Sequence, residues 1–131
     1  ESISASATSD EIAEQFVRAR GCCVAVTGPV DVVHDGRLTA HISNGHEMMG
    51  KLVGTGCMSD VIVAAFAAVE PDPFKAACGG LVTFGIAGEM AAGISGDRPG
   101  TFHVELYNAL HAVGSEHVAR LAKLEAPRPK G

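Results

Sequence analysis

The sequence predicts an α/β fold made of one buried strand, a β-hairpin and four to five helices, within a single partial domain covering residues 1–131. The chain has 131 residues, of which 47% are hydrophobic and 19% charged, and this composition fits one folded domain and excludes intrinsic disorder. An apolar run of strand length precedes an Asp-Gly pair flanked by two strand-like segments. Beyond residue 57 the chain is rich in alanine and its apolar residues recur at helical spacing.

The first two elements are a capped helix and an apolar strand. Thr8 and Glu11 stand at capping-box spacing, and the helix that they begin is expected to end at Gly21. Residues 22–27 (CCVAVT) form a continuous apolar run, which is typical of a strand that is covered on both faces. We therefore expect an interior strand directly after the first helix.

A hairpin and four helices are expected to follow. Asp35-Gly36 lies between two strand-like segments and is the predicted hairpin tip. The helices are expected at residues 58–70, from Asp72-Pro73 to about Gly93, at residues 101–113 and at residues 115–124. The tail, residues 126–131, is expected to be frayed.

The two longest predicted helices are apolar on all sides, which is typical of helices buried on every side. A sheet of about three strands is too small to cover them. The sequence therefore predicts either part of a larger α/β domain whose remaining strands are absent, or a compact α+β domain that oligomerises through these faces.

Composition also limits the partners and the compartment. The net charge is −5, only 10 residues are Lys or Arg, and there is no Trp, so nucleic acid is not an expected partner. No apolar run is expected to span a bilayer, because charges or glycines interrupt each candidate, and no signal peptide is visible. The four cysteines show no disulfide or metal spacing and are expected to be free thiols in a reducing cytoplasm.

The sharpest local feature is the sequence Gly54-Thr55-Gly56-Cys57, which immediately precedes the apolar helix. Glycines let backbone N–H groups face a ligand, and a helix N-terminus adds unpaired donors and the positive end of the helix dipole. This combination predicts an anion site suited to phosphate, although a GxG segment before a helix is also common in plain tight turns. No Lys-Ser or Lys-Thr pair follows, so the segment is not a Walker A loop.

Cys57 is the candidate catalytic residue of this segment. The first turn of a helix favours a thiolate, whereas the alternative is a small residue kept for packing. Asp60 lies one turn later and is either a second acid of the site or an ordinary first-turn acid.

A set of motifs between about residue 20 and residue 113 resembles the hydroxyethylthiazole kinase family, in unbroken order and over the C-terminal half of that family's domain only. The motifs are Val24-Ala25-Val26-Thr27-Gly28 with Asp31, Asn44-Gly45-His46, Lys51, Gly54-Thr55-Gly56-Cys57-Met58, Ala64-Ala65-Phe66, Glu70-Pro71-Asp72-Pro73, Gly85-Ile86-Ala87-Gly88-Glu89 and Pro99-Gly100-Thr101-Phe102. The sequence departs from the family's pattern at Glu47, Gly50 and Asp60.

The resemblance implies a ribokinase-like three-layer α/β/α fold and an ATP- and magnesium-dependent kinase. The implied reaction phosphorylates the hydroxyethyl group of 4-methyl-5-(2-hydroxyethyl)thiazole in thiamin salvage. By resemblance, Cys57 is catalytic, Gly54 binds substrate, Thr27 binds ATP, and Thr55 and Gly56 form the anion hole. The magnesium-binding acids belong to the absent half, so no metal ligand is assigned within this chain. The family also implies a homotrimer.

Two other interpretations stay open from the sequence. One is another ribokinase-like enzyme, such as a hydroxymethylpyrimidine kinase or an ADP-dependent dehydratase, although those families usually carry aspartate where Cys57 stands. The other is a truncated, non-catalytic interaction module that binds partners through its apolar helices.

Phosphoryl transfer depends mostly on positioning and charge stabilisation, which backbone N–H groups such as those of Thr55 and Gly56 can supply in the kinase interpretation.

Overall fold

A computed structural model describes residues 8–125 and 127–129, which form five α-helices, one 3₁₀ helix and four strands. The helices are α1 Ser9–Arg20, α2 Thr55–Ala67, α3 Pro73–Ser95, α4 Pro99–Ala112 and α5 Ser115–Leu121, with the 3₁₀ helix at Glu47–Lys51. The strands are β1 Val24–Val26, β2 Asp31–His34, β3 Leu38–Ile42 and β4 Arg128–Pro129. The α/β class is that expected from the sequence.

The described strands form one antiparallel sheet in the order β1-β2-β3-β4. The hairpin prediction is confirmed: Asp35 accepts hydrogen bonds from the N–H groups of Arg37 and Leu38, at 2.8 and 2.7 Å, and Gly36 takes φ +93°. Val33 and Ala40, which pair across the hairpin, are fully buried. The hairpin therefore supplies the covered part of the sheet.

The prediction of an interior strand at residues 22–27 is wrong for this chain. Only Val24–Val26 is extended, it lies at the sheet edge, and Ala25 is exposed. Among the described strands, β1 pairs with β2 alone. A continuous apolar run indicates that both faces of a strand are buried in the folded protein, but it does not indicate which segments bury them.

The tail, which we expected to be frayed, contributes a short strand. Arg128 and Pro129 pair with Thr39 and Leu38 of β3. Proline is compatible with this position because β4 is an edge strand of the described sheet. Residues 126, 130 and 131 of the tail lie outside the described residues.

Helix boundaries follow local signals closely. The capping box of Thr8 and Glu11 is present, and Gly21 ends α1 in the left-handed region at φ +64°. Helix α2 begins at Thr55, two residues before Cys57, as expected. Asp72 caps α3 by accepting hydrogen bonds from the N–H groups of residues 74 and 75.

Helix α3 is the central element, and both hydrophobic core clusters are built on it. One cluster joins it to β2 and β3, and the other joins it to α4 and the 3₁₀ helix. Two glycines admit α2 closely: a Cβ on Gly80 would lie 2.8 Å from Val63 Cα, and one on Gly79 would lie 2.8 Å from the Phe66 ring.

The expectation that no run could span a bilayer is corrected for α3. Among the described residues it is the one helix long and apolar enough for this by length and composition. However, 67% of its apolar window is buried within the protein, as in the core helix of a globular domain.

Helix α2, by contrast, is covered on one side only. Val61 is 67% exposed, and Ala64, Ala65 and Ala68 are exposed beside it. The sequence analysis predicts such an exposed apolar face in both of its alternatives. Either the missing part of the domain or another copy of the chain would cover it.

Candidate functional site

A cleft of about 580 Å³ lies between the β1–β2 turn, residues 44–51 and the first turn of α2, with α3 as its floor. We call residues 44–51 the cleft loop. The lining residues are Thr27, Gly28, Pro29, Asp31, Asn44, Gly45, His46, Glu47, Met49, Gly50, Thr55, Gly56, Ser59, Leu81, Phe84 and Gly85. The volume is in the range of small-molecule sites, and the lining combines apolar walls with a few polar groups.

The first turn of α2 supplies backbone donors to this cleft. Gly54 precedes the helix at φ +96°, and the first intrahelical hydrogen bond runs from Met58 N to Gly54 O at 2.9 Å. The N–H groups of Thr55, Gly56 and Cys57 therefore have no intrahelical acceptor. Thr55 and Gly56 line the cleft, so their donors and the positive helix end make it a suitable anion site.

Two hydroxyl groups hold this turn in place. Thr55 Oγ1 donates to the Met49 carbonyl at 3.0 Å, and Ser59 Oγ donates to the Gly56 carbonyl at 2.6 Å. Ser59 is buried at the cleft wall. Since the Thr55 hydroxyl proton is engaged by Met49, the donor that Thr55 offers to a ligand is its N–H group.

The structure brings three of the five predicted site residues together. Thr27, Thr55 and Gly56 all line the cleft. Gly54 and Cys57 flank the anion-site pair in the chain, are exposed, and are not lining residues. The roles assigned to all five stay predictions.

Asp60 is exposed on the same helix, outside the set of lining residues. It belongs to the first turns of α2 together with Cys57, which is also exposed. Which of the two accepts a substrate proton stays open, as in the sequence analysis.

The opposite wall is the turn between β1 and β2. Gly28 N–H donates to Asp31 Oδ1 at 2.9 Å, which fixes the turn beside Thr27. Burial raises the pKa of the Asp31 carboxyl above its ordinary value of 3.8, although the bond from Gly28 opposes this effect. A partly buried acid thus stands in the cleft, close to the predicted ATP-binding residue.

The described residues do not by themselves fit a magnesium ion. Across positions 8–125 and 127–129, no three His, Cys, Asp or Glu side chains converge in a way that could hold a metal. His46 instead caps the 3₁₀ helix, because its Nδ1 accepts from Met48 N–H at 3.2 Å.

Sequence reasoning assigned no role to several lining residues. Ser59, Phe84 and Gly85 are far apart in the chain or hidden in apolar helices, so local patterning does not reveal them. The signal that existed was the resemblance, whose motifs include Asn44-Gly45-His46 and Gly85.

Fold and cleft together define an α/β protein in which a cleft of small-molecule size meets a helix N-terminus with free backbone N–H groups, an arrangement typical of phosphate-binding proteins. A family model described as "Hydroxyethylthiazole kinase family" matches residues 1–116. The chain belongs to the hydroxyethylthiazole kinase family.

Individual relatives agree with this assignment. The chain is 44% identical over 127 residues to hydroxyethylthiazole kinase of Granulibacter bethesdensis, and 43% identical over 125 residues to that of Methanosarcina mazei. These alignments cover 97% and 95% of the chain but only 46% and 48% of the relatives. The chain thus spans about half the length of the curated relatives it matches.

A solved structure gives the same result. The structure of hydroxyethylthiazole kinase protein from Pyrococcus horikoshii matches with a TM-score of 0.82 and 43% identity. The match covers 87% of this chain and 44% of that one. The fold predicted from the resemblance is therefore confirmed.

Proposed function

We propose that this chain is the C-terminal half of a hydroxyethylthiazole kinase, which transfers phosphate from ATP to the hydroxyethyl group of 4-methyl-5-(2-hydroxyethyl)thiazole in thiamin salvage. The observation that carries the proposal is the cleft, which is lined both by Thr27 and by Thr55 and Gly56 at the start of α2. Membership of a family named for this activity gives the substrate class.

In this proposal each predicted residue has one task. The N–H groups of Thr55 and Gly56 stabilise the charge on the transferring phosphoryl group, which is the main catalytic requirement of such a reaction. Thr27 contacts ATP and Gly54 contacts the thiazole alcohol. Cys57 accepts the hydroxyl proton, the alcohol oxygen bonds to the γ-phosphorus, and the bond to ADP breaks.

Magnesium is expected to accompany ATP and to neutralise its phosphate charge. Its ligands are expected outside this chain, since the described residues do not fit a metal site. The contribution of this chain is the backbone anion site and the walls that orient the nucleotide.

The remaining parts of the proposal concern partners and location. We expect no nucleic-acid or membrane partner, a cytoplasmic location, and a homo-oligomer, which the family implies to be a trimer. The exposed apolar face around Val61 on α2 supports a large contact surface, because such faces are uncommon on isolated monomers.

A fusion protein tests the activity. The N-terminal part of the Methanosarcina mazei relative, up to the start of its match, is joined to this chain, and phosphate transfer from ATP is followed by ³¹P NMR. We expect phosphorylation of the thiazole alcohol in preference to a hydroxymethylpyrimidine. Preference for the pyrimidine would favour another ribokinase-like kinase, and a folded fusion without transfer to either would favour a non-catalytic module; both results contradict the proposal.

A further inference from the structure

One face of α3 carries the contacts that hold the cleft loop. Gly85, Gly88 and Glu89 lie three and four residues apart, and residues at this spacing share a helix face. A Cβ on Gly85 would lie 2.7 Å from the Asn44 carbonyl, and a Cβ on Gly88 would collide with the Met49 sulfur. The two glycines therefore let the loop lie directly on the helix.

Glu89 adds hydrogen bonds to this close packing. Its Oε1 accepts from Gly45 N–H at 3.0 Å and from Asn44 Nδ2 at 3.2 Å. Lys123 Nζ, which arrives from the C-terminal segment, donates to the same oxygen at 3.0 Å. One carboxylate oxygen thus joins α3, the start of the cleft loop and the segment that follows α5.

Asn44 completes the attachment from the other side. Its side chain is 5% exposed, and its Oδ1 accepts from Lys123 N–H at 2.7 Å while its Nδ2 donates to Leu121 O at 2.9 Å. Gly45, whose N–H group donates to Glu89, takes φ +133°, which favours glycine. The loop therefore starts from a fixed point.

The loop then leads to the anion site. The 3₁₀ helix Glu47–Lys51 follows Gly45. The carbonyl of its residue Met49 accepts a hydrogen bond from the Thr55 hydroxyl group at the start of α2. A displacement of the loop at Gly45 is consequently expected to move the Thr55 N–H group, because a short run of covalent bonds and one hydrogen bond connect the two residues.

We infer that Glu89 is a positioning residue, which orders the cleft loop through Gly45 N–H. It thereby fixes the position of the anion site at the start of α2 relative to Thr27, the proposed ATP-binding residue. Glu89 does not line the cleft and acts only through the loop. The ordering of the loop stands on its own contacts, whereas its consequence for catalysis rests on the proposed function.

Amide hydrogen exchange of the full 131-residue chain tests the ordering. In Glu89→Ala, we expect Gly45 N–H to exchange at least about tenfold faster, since it loses a hydrogen bond to a charged group. In Glu89→Gln, whose amide oxygen still accepts, the change should stay below about fivefold. Lys123→Met should also stay below about fivefold, because an exposed ion pair contributes little.

Glu105→Ala on α4 is the matched control, because Glu105 accepts from Asn108 on its own helix, outside the cleft loop. It should leave Gly45 exchange unchanged. Unaltered Gly45 exchange in Glu89→Ala would overturn the inference. An equal acceleration of Gly45 and of core amides such as that of Phe84 would also overturn it, because it would show only general destabilisation.

Kinetics of the fusion protein test the consequence. Glu89→Ala should raise KM for ATP by about tenfold or more with a smaller effect on kcat, and Glu89→Gln should restore it. A loss of kcat alone would overturn the positioning role. If the unmodified fusion is inactive, the proposed function fails, while Gly45 exchange still decides whether Glu89 orders the loop.

Discussion

Thr55 Oγ1 donates to the carbonyl oxygen of Met49 at 3.0 Å, and this bond joins the first turn of α2 to the cleft loop. Thr55 therefore lines the cleft and also connects the start of α2 to the cleft loop. The proposed anion site accordingly depends on two segments, the first turn of α2 and the cleft loop. The loop contacts the start of α2 through Met49, and α3 in turn binds the loop through Glu89.

Thr55→Val should loosen this connection without changing the size of the side chain. We expect a loss of about 1 kcal/mol in the free energy of unfolding, the usual contribution of one hydrogen bond. In the fusion protein KM for ATP should rise. Urea unfolding and initial-rate kinetics measure the two effects, and Thr55→Ser, which keeps the hydroxyl, should restore both; a Val variant equal to wild type would contradict this role.

Close packing of α2 on α3 can be tested with two glycines of the same helix. Gly80→Ala places a Cβ 2.8 Å from Val63 Cα and should lower the free energy of unfolding by about 1–3 kcal/mol. Gly93→Ala meets nothing within 4 Å and should raise it by up to about 1 kcal/mol through helix propensity. Urea denaturation of the chain measures both, and equal effects of the two substitutions would refute the packing.

The stability of the chain should depend on pH through Glu89. Burial alone would raise the pKa of this carboxyl, but the hydrogen bonds from Gly45, Lys123 and Asn44 outweigh burial and hold the pKa below its ordinary value of 4.5. Because the folded pKa is the lower one, the stabilisation is complete above the ordinary value and is lost as pH falls through the folded pKa.

The difference in the free energy of unfolding between wild type and Glu89→Gln should therefore shrink as the solution is acidified from neutral pH through 4.5 and below. Asp31→Asn is the control of opposite sign, because burial raises the pKa of Asp31. Relative to that variant, the wild type should gain stability on acidification. Denaturant unfolding at several pH values gives both differences, and a constant difference for Glu89→Gln would contradict the prediction.

Cys57 is expected to take the substrate proton in the complete enzyme. Cys57→Ala should lower kcat by roughly 10²–10⁴-fold, the usual contribution of a positioned base, with a smaller effect on substrate affinity. Cys57→Asp should keep or improve activity, because a carboxylate is a good proton acceptor near neutral pH.

Asp60→Ala is the matched control, since Asp60 lies in the first turns of the same helix and is also exposed. Steady-state kinetics of the fusion protein should show little change in this variant. Abolished turnover in Asp60→Ala with unchanged turnover in Cys57→Ala would identify Asp60 as the base. Lost thermal stability with unchanged turnover in Cys57→Ala would give Cys57 a packing role only.

Features with a local cause could be predicted from the sequence. The capping box at Thr8, the Asp35-Gly36 hairpin tip and the start of α2 within two residues of Cys57 all depend on residues close in the chain. The helix start at Thr55 could be predicted for the same reason, because a helix N-terminus is a local structure, whereas the anion-binding role of Thr55 and Gly56 stays a prediction.

Features set by distant partners could not be predicted. The edge position of β1 depends on which strands lie beside it, and the pairing of Arg128 and Pro129 with β3 depends on where the chain returns. The role of Glu89 also escaped, because its partners Asn44 and Lys123 are 45 and 34 residues away.

The proposed phosphate site lies at the first turn of α2, and a titration of the ¹⁵N-labelled fusion protein with a non-hydrolysable ATP analogue tests this location. We predict saturable binding with the largest amide shifts at Gly28, Thr55 and Gly56, and smaller shifts on the far side of α4. Saturable binding that leaves these three amides unmoved would contradict this location of the phosphate site.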